Sequence, residues 1–214
     1  MVNFSPAIIK IKNTMLNKSY FITILAFLFA FSTATAQDVT YQLSEIHQFK
    51  IDGDSNVRSW DADVTEAEAS LVLTGVDNLS LEALDEESFK SLTITIPVEG
   101  IESDSRRLTR NLQGYLKEDD FPTITFDLLQ VNSITRADGK AQISADGLIN
   151  AAGVENALSM NVEAELNDDG SITFSGVQDL LMTDFDIDPP TAIMGTVRSD
   201  DEIQIIYQVM FTNE

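Results

Sequence analysis

Residues able to carry chemistry are few and poorly grouped. His47 is the only histidine in 214 residues, and cysteine is absent. A single imidazole cannot build a site needing two histidine ligands, and no serine–histidine–acid order surrounds it. It reads as a surface or turn residue. Without cysteine there are no disulfides, thiolate ligands or thiol nucleophiles. Asp184, Asp186 and Asp188 alternate with Phe185 and Ile187. In an extended strand the three carboxylates would share one side, and hard oxygen donors suit calcium. The segment lacks the glycine turn and closing glutamate of a calcium loop, so a solvated strand end is the alternative. With 35 acidic residues, no carboxylate pair stands out for glycoside hydrolysis. Arg106, Arg107 and Arg110 cluster in a chain otherwise poor in bases. They either meet a polar or anionic ligand head or pair with Glu102, Asp104 or Glu118 on a solvated face. Trp60, the only tryptophan, follows Gly53-Asp54-Ser55-Asn56-Val57, and either caps a core or lines a pocket.

The charge narrows the partners. The formal net charge is −22, from 13 basic and 35 acidic residues. Three of the bases, Lys10, Lys12 and Lys18, precede an apolar run from Tyr20 to Phe31, and Ala34-Thr35-Ala36 follows it. That is the pattern of a Sec signal peptide over residues 1–36, with cleavage before Gln37 and export to a periplasm or the exterior. The run is short for a membrane span, and no integral span is expected after cleavage. Residues 37–214 then carry 10 bases against 35 acids, a net −25. A polyanion of this size has no counterion-release drive toward nucleic acid, and anionic lipid surfaces repel it. A hydrophobic fraction of 43% still requires a folded core.

Period-two alternation dominates the mature chain. It is plain over Leu92–Val98, Leu158–Leu166 and Ile203–Phe211, and weaker over 49–51, 69–76, 123–131, 142–149 and 171–177. Turn-forming residues separate the runs. Two stretches read as helical: a short one over Ser80–Lys90, and Asp104–Lys117. In the second, Leu108, Leu112, Tyr115 and Leu116 form one stripe, Asp104 is placed as a first-turn anion, and Pro122 blocks continuation. About eight strands with one inserted helical segment give an all-β domain, either a closed barrel or a sandwich, over residues 37–214.

Four stretches in order resemble the YceI-like family of exported bacterial proteins. They are Ile51–Trp60, Leu108–Phe126 (ending Asp120-Phe121-Pro122-Thr123-Ile124-Thr125-Phe126), Asp146–Val154, and Leu181–Ala192 followed by Gly195-Thr196-Val197. Asp54, Arg58, Ser59, Asn150 and Ala151 depart from the residues usual in these motifs. The resemblance implies an eight-stranded antiparallel lipocalin-like barrel that binds polyisoprenoid lipid without catalysis. It also makes Asp184 and the two prolines features of a turn and strand end rather than of a calcium site. Inward side chains of such a barrel would hold the guest, here Trp60, Leu112, Tyr115, Phe126, Met160, Phe174, Phe185 and Tyr207, with the helix covering the mouth. No cofactor is required; an isoprenoid quinone or polyprenyl lipid is the expected ligand. The alternative is an acidic envelope protein, structural or stress-related, whose barrel is filled by its own side chains. An interior hollow separates the two.

Overall fold

The computed structural model describes residues 37–75, 79–192 and 194–213; the expected leader lies outside the described residues. The strands are β1 (Val39–Ser55), β2 (Trp60–Val64), β3 (Glu68–Leu73), β4 (Phe89–Pro97), β5 (Ile101–Glu102), β6 (Thr123–Ala137), β7 (Lys140–Ala151), β8 (Val154–Leu166), β9 (Ile172–Leu181), β10 (Thr191–Ala192) and β11 (Val197–Asn213). One helix, α1 (Arg106–Tyr115), lies between β5 and β6. Sheet order runs β11-β9-β8-β7-β6-β4-β3-β1, and β1 pairs back onto β11 from Tyr41 opposite Asn213 to Ser55 opposite Ser199. Every ladder is antiparallel, and with β1 paired back onto β11 these eight strands close into a barrel. The shorter β2 and β5 extend the wall beside the upper half of β1, and β10 sits on the start of β11.

Closure needs curvature, and bulges supply it. Strand β1 shifts register between Leu43 and Glu45, Ile46 and Gln48, and Gly53 and Ser55. Strand β6 shifts between Leu128 and Gln130 and between Val131 and Ser133. His47 is one of the extra residues, exposed and 3.7 Å from the Glu45 carboxylate, a surface position.

The two ends of the barrel differ. At the lower end Tyr41, Leu73, Ala141, Ala164 and Ile172 are buried in one cluster with Leu81 and Leu84. The last two come from the segment expected to be a helix over Ser80–Lys90, and that expectation fails. The Ser80 hydroxyl accepts from the Ala83 N–H, and the Asp85 carboxylate accepts from the Ser88 N–H. Such local bonds compete with helix propagation, leaving one 3-10 turn, Glu86–Ser88, before β4 begins. Arg136 straps the segment down: its Nε donates to the Leu81 carbonyl (2.6 Å) and its Nη2 to that of Leu84. At the upper end α1 lies near β5, with Leu112 buried against Ala62, Val64 and Ile101. Its cap is Ser105, whose hydroxyl accepts from the Leu108 N–H, so Asp104 precedes the helix instead of charging its first turn. No helix among the described residues is long and apolar enough to cross a membrane.

Candidate functional site

Alternation delivers one face of each strand to the barrel axis. Leu92, Ile94 and Ile96 of β4 point inward, as do Leu158, Met160 and Val162 of β8 and Ile203, Ile205 and Tyr207 of β11. They do not meet. Above the floor they enclose a cavity of about 230 Å³, whose lower wall reaches Leu71, Ile143 and Phe211 and whose upper wall reaches Leu116, Met182 and Ile187. Among the lining side chains, only Thr125, Gln178 and Tyr207 carry nitrogen or oxygen. The interior is therefore not filled by its own side chains, contrary to the alternative carried from the sequence.

Glycines make room for the aromatic wall. Gly176 lies opposite Tyr207, and a Cβ there would stand 2.5 Å from the tyrosine hydroxyl. A Cβ on Gly147 would stand 2.3 Å from the Phe126 ring. The Tyr207 ring also tilts against Phe49, with centroids 6.3 Å apart. Burial pushes its phenol up to about 12, because the phenolate would lose hydration in an apolar chamber.

Of the side chains expected to hold a guest, Phe126, Met160, Phe174, Phe185 and Tyr207 line the cavity, and Trp60, Leu112 and Tyr115 do not. Trp60 lies over Gly53, its cross-strand partner, where a Cβ would come within 2.2 Å of the indole. The glycine–tryptophan spacing is thus a packing device, and the indole N–H is buried without a partner among the described residues. Leu112 is the buried face of α1 against Ala62, Val64 and Ile101, and Tyr115 packs beside Ala151 and Met182. Sequence reasoning missed Phe49 and Ile51 in the wall, since only a three-residue run was visible there. It also missed Leu180, Met182 and Ile187, next to the aspartates that drew attention instead.

Those aspartates do not share a strand face. Met182–Phe185 is a 3-10 turn and Asp186 takes a left-handed conformation with φ 53°, which breaks the alternation. Phe185 and Ile187 are buried by this turn while Asp184 and Asp186 face solvent. No group of acidic or histidine side chains among the described residues could hold a metal ion. Arg106, Arg107 and Arg110 are exposed on α1; none lines the cavity, and no ion pair to Glu102, Asp104 or Glu118 forms among the described residues.

The ladder between β8 and β9 is incomplete. It joins Glu163 to Ser175 through Leu166 to Ile172. Above it, β8 pairs only with β7 and β9 only with β11, so the wall is split.

The comparisons agree with this architecture. The YceI-like domain matches residues 49–211. No curated protein matches the sequence. Three solved structures share the fold. BcnA of Burkholderia cenocepacia is 18% identical, covers 77% of this chain and 96% of its own, and has a TM-score of 0.54. A polyisoprenoid-binding domain from Saccharophagus degradans, 8% identical, covers 82% of this chain and 99% of its own, with a TM-score of 0.58. The YceI protein of Campylobacter jejuni, 20% identical, covers 72% and 84%, with a TM-score of 0.50. A hollow antiparallel barrel, the four ordered motifs and a domain match over residues 49–211 lead to one conclusion: this chain belongs to the YceI-like family.

Proposed function

We propose that this protein is an exported, non-catalytic binder of an isoprenoid or similarly apolar lipid, which it stores or carries in the cell envelope. The observation that carries the reading is the apolar cavity of about 230 Å³ above a closed floor. A prenyl chain offers no hydrogen-bonding groups, so a dry concave surface is all its recognition needs. Burial contributes about 0.8 kcal/mol per methylene, less the ordering losses on binding. Catalysis would need titratable groups converging in the chamber, and Tyr207, the one titratable lining side chain, is held in its neutral form by burial. The surplus of carboxylates opposes a pyrophosphate head, so the favoured lipid has a neutral, quinone-like or phenolic head. The lysine-flanked apolar leader supports export.

Protein purified from its host should release a stoichiometric long-chain lipid into organic solvent, identified by mass spectrometry. In competition, a neutral prenyl quinone should bind more tightly than a polyprenyl phosphate of equal chain length. A clean extract together with no quinone binding would overturn the proposal, and tighter binding of the phosphate would overturn the neutral-head assignment.

A further inference from the structure

We infer that the split between β8 and β9 is the head-group subsite of this barrel, and that it takes an uncharged, hydroxyl-bearing head whose chain lies in the apolar cavity. The inference rests on the lipid-binding reading and adds where the head sits and what holds it.

At the split lies a second cavity, of about 240 Å³, and it adjoins the first: Ile149, Leu158, Gln178, Leu180 and Phe185 border both. Its character is different. Asn156, Ser159, Asp179, Asp184 and Glu202 border it on the outer side, and no lysine or arginine does. The side-chain donors there are engaged. Asn156 Nδ2 donates to the Asp184 carbonyl (2.5 Å), which ties the top of the split shut. Gln178 Nε2 donates to the Asp179 carbonyl (3.0 Å), and the Ser159 hydroxyl donates to Asp146 (2.6 Å). What the side chains present there is mostly acceptor, amide oxygens and three carboxylates, with Asp179 already accepting from Gln204 Nε2 (2.8 Å). A hydroxyl or phenol can donate to these carboxylates and accept from backbone N–H groups left without a ladder partner, whereas a phosphate meets three carboxylates and no cationic side chain.

The gap is also where backbone is exposed without a ladder partner. Extending the register of Glu163 with Ser175 would set Asn161 against Val177 and Ser159 against Asp179, yet neither pair forms. Unpaired strand edges persist in folded proteins where something covers or uses them. Val177 and Leu181 stand on the outer lip, 55% and 42% exposed, giving the gap an apolar sill.

Ala157 borders the split and not the main cavity, so Ala157→Phe fills one without narrowing the other. The probes are a C20 prenyl alcohol and the hydrocarbon of the same chain, each measured by displacement of neutral N-phenyl-1-naphthylamine. The wild type should prefer the alcohol. In Ala157→Phe the alcohol should lose about tenfold in affinity, the value of a hydrogen bond in a partly dry site, while the hydrocarbon is unchanged. Asn161→Cys with Val177→Cys provides a second, reversible variant in a chain with no native cysteine. Oxidation should weaken the alcohol selectively, and reduction should restore it. If both probes bind but respond alike in both variants, the head lies elsewhere and the subsite inference fails alone. If neither probe binds the wild type, the lipid-binding reading itself fails.

Discussion

An unoccupied apolar chamber is a standing cost to its own fold, and Ala145→Leu tests whether that cost is present here. Ala145 is 3% exposed on β7, between Val131 of β6 and Met160 of β8, and its methyl borders the cavity. At about 24 cal/mol per Å³, a void of about 230 Å³ withholds on the order of 5 kcal/mol from the lipid-free barrel. Leucine adds three carbons on the hollow side. At about 0.8 kcal/mol each they offer roughly 2 kcal/mol, which corresponds to a rise of about 4–8 °C in Tm for a domain of this size. The same carbons occupy space that an apolar guest would use, so the variant should bind a neutral prenyl quinone about tenfold more weakly, a 1.4 kcal/mol loss. The assay is thermal unfolding of delipidated protein by circular dichroism, paired with quinone titration. Opposite signs in the two measurements are the signature of a hollow. A lipid-free variant that melts lower, with quinone affinity intact, would show that Ala145 faces packed side chains and would refute the cavity argument.

Three further outcomes follow from named contacts. Gly53→Ala puts a Cβ 2.2 Å from the Trp60 ring; it should cost about 1–3 kcal/mol and shift the emission of the single tryptophan to longer wavelength, read in one urea titration. Arg136→Met removes the donors to the Leu81 and Leu84 carbonyls. It should lower stability by about 1–3 kcal/mol and speed hydrogen exchange selectively in residues 79–85; uniform exchange would count against the strap. Tyr207 ionises at about 12 in the fold against about 10 in an unfolded chain, so its contribution is complete below pH 10 and drains away as pH rises toward 12. Absorbance titration of Tyr207→Phe should lose one phenol from the high-pH step; loss of that phenol from the ordinary step near 10 instead would place the hydroxyl in water.

Legibility in the sequence followed regularity of the backbone. Strand β8, β4 from Leu92 and β11 from Ile203 keep a period of two, and their inward faces were readable as written. Strands β1 and β6 are just as structural but carry bulges. The inward residues of β1 step Leu43, Ile46, Phe49, so alternation dissolves and only 49–51 remained visible. The same device in β6 hid everything after Val131. Ser80–Lys90 misled because Ser80 and Asp85 answer backbone N–H groups locally, a preference that spacing alone does not rank against helix. The turn at the aspartate triplet was legible from the motif resemblance and not from alternation, which says nothing of a left-handed conformation at Asp186. Aromatic type could mark candidates for the wall but not separate them. Phe126 and Tyr207 reach the cavity across glycines, while Trp60 uses the same kind of glycine to pack elsewhere. No sequence signal foretold the missing ladder between β8 and β9, whose residues alternate as neatly as a paired strand.

The strapped lower end makes the barrel a cul-de-sac. A molecule that enters tail-first cannot pass through, and must back out along the path by which it came. Orientation is therefore set at loading, with the deepest carbon against Ile143 and Phe211. On the proposed lipid-binding reading, loading and release therefore share one side of the barrel, the side where the walls part.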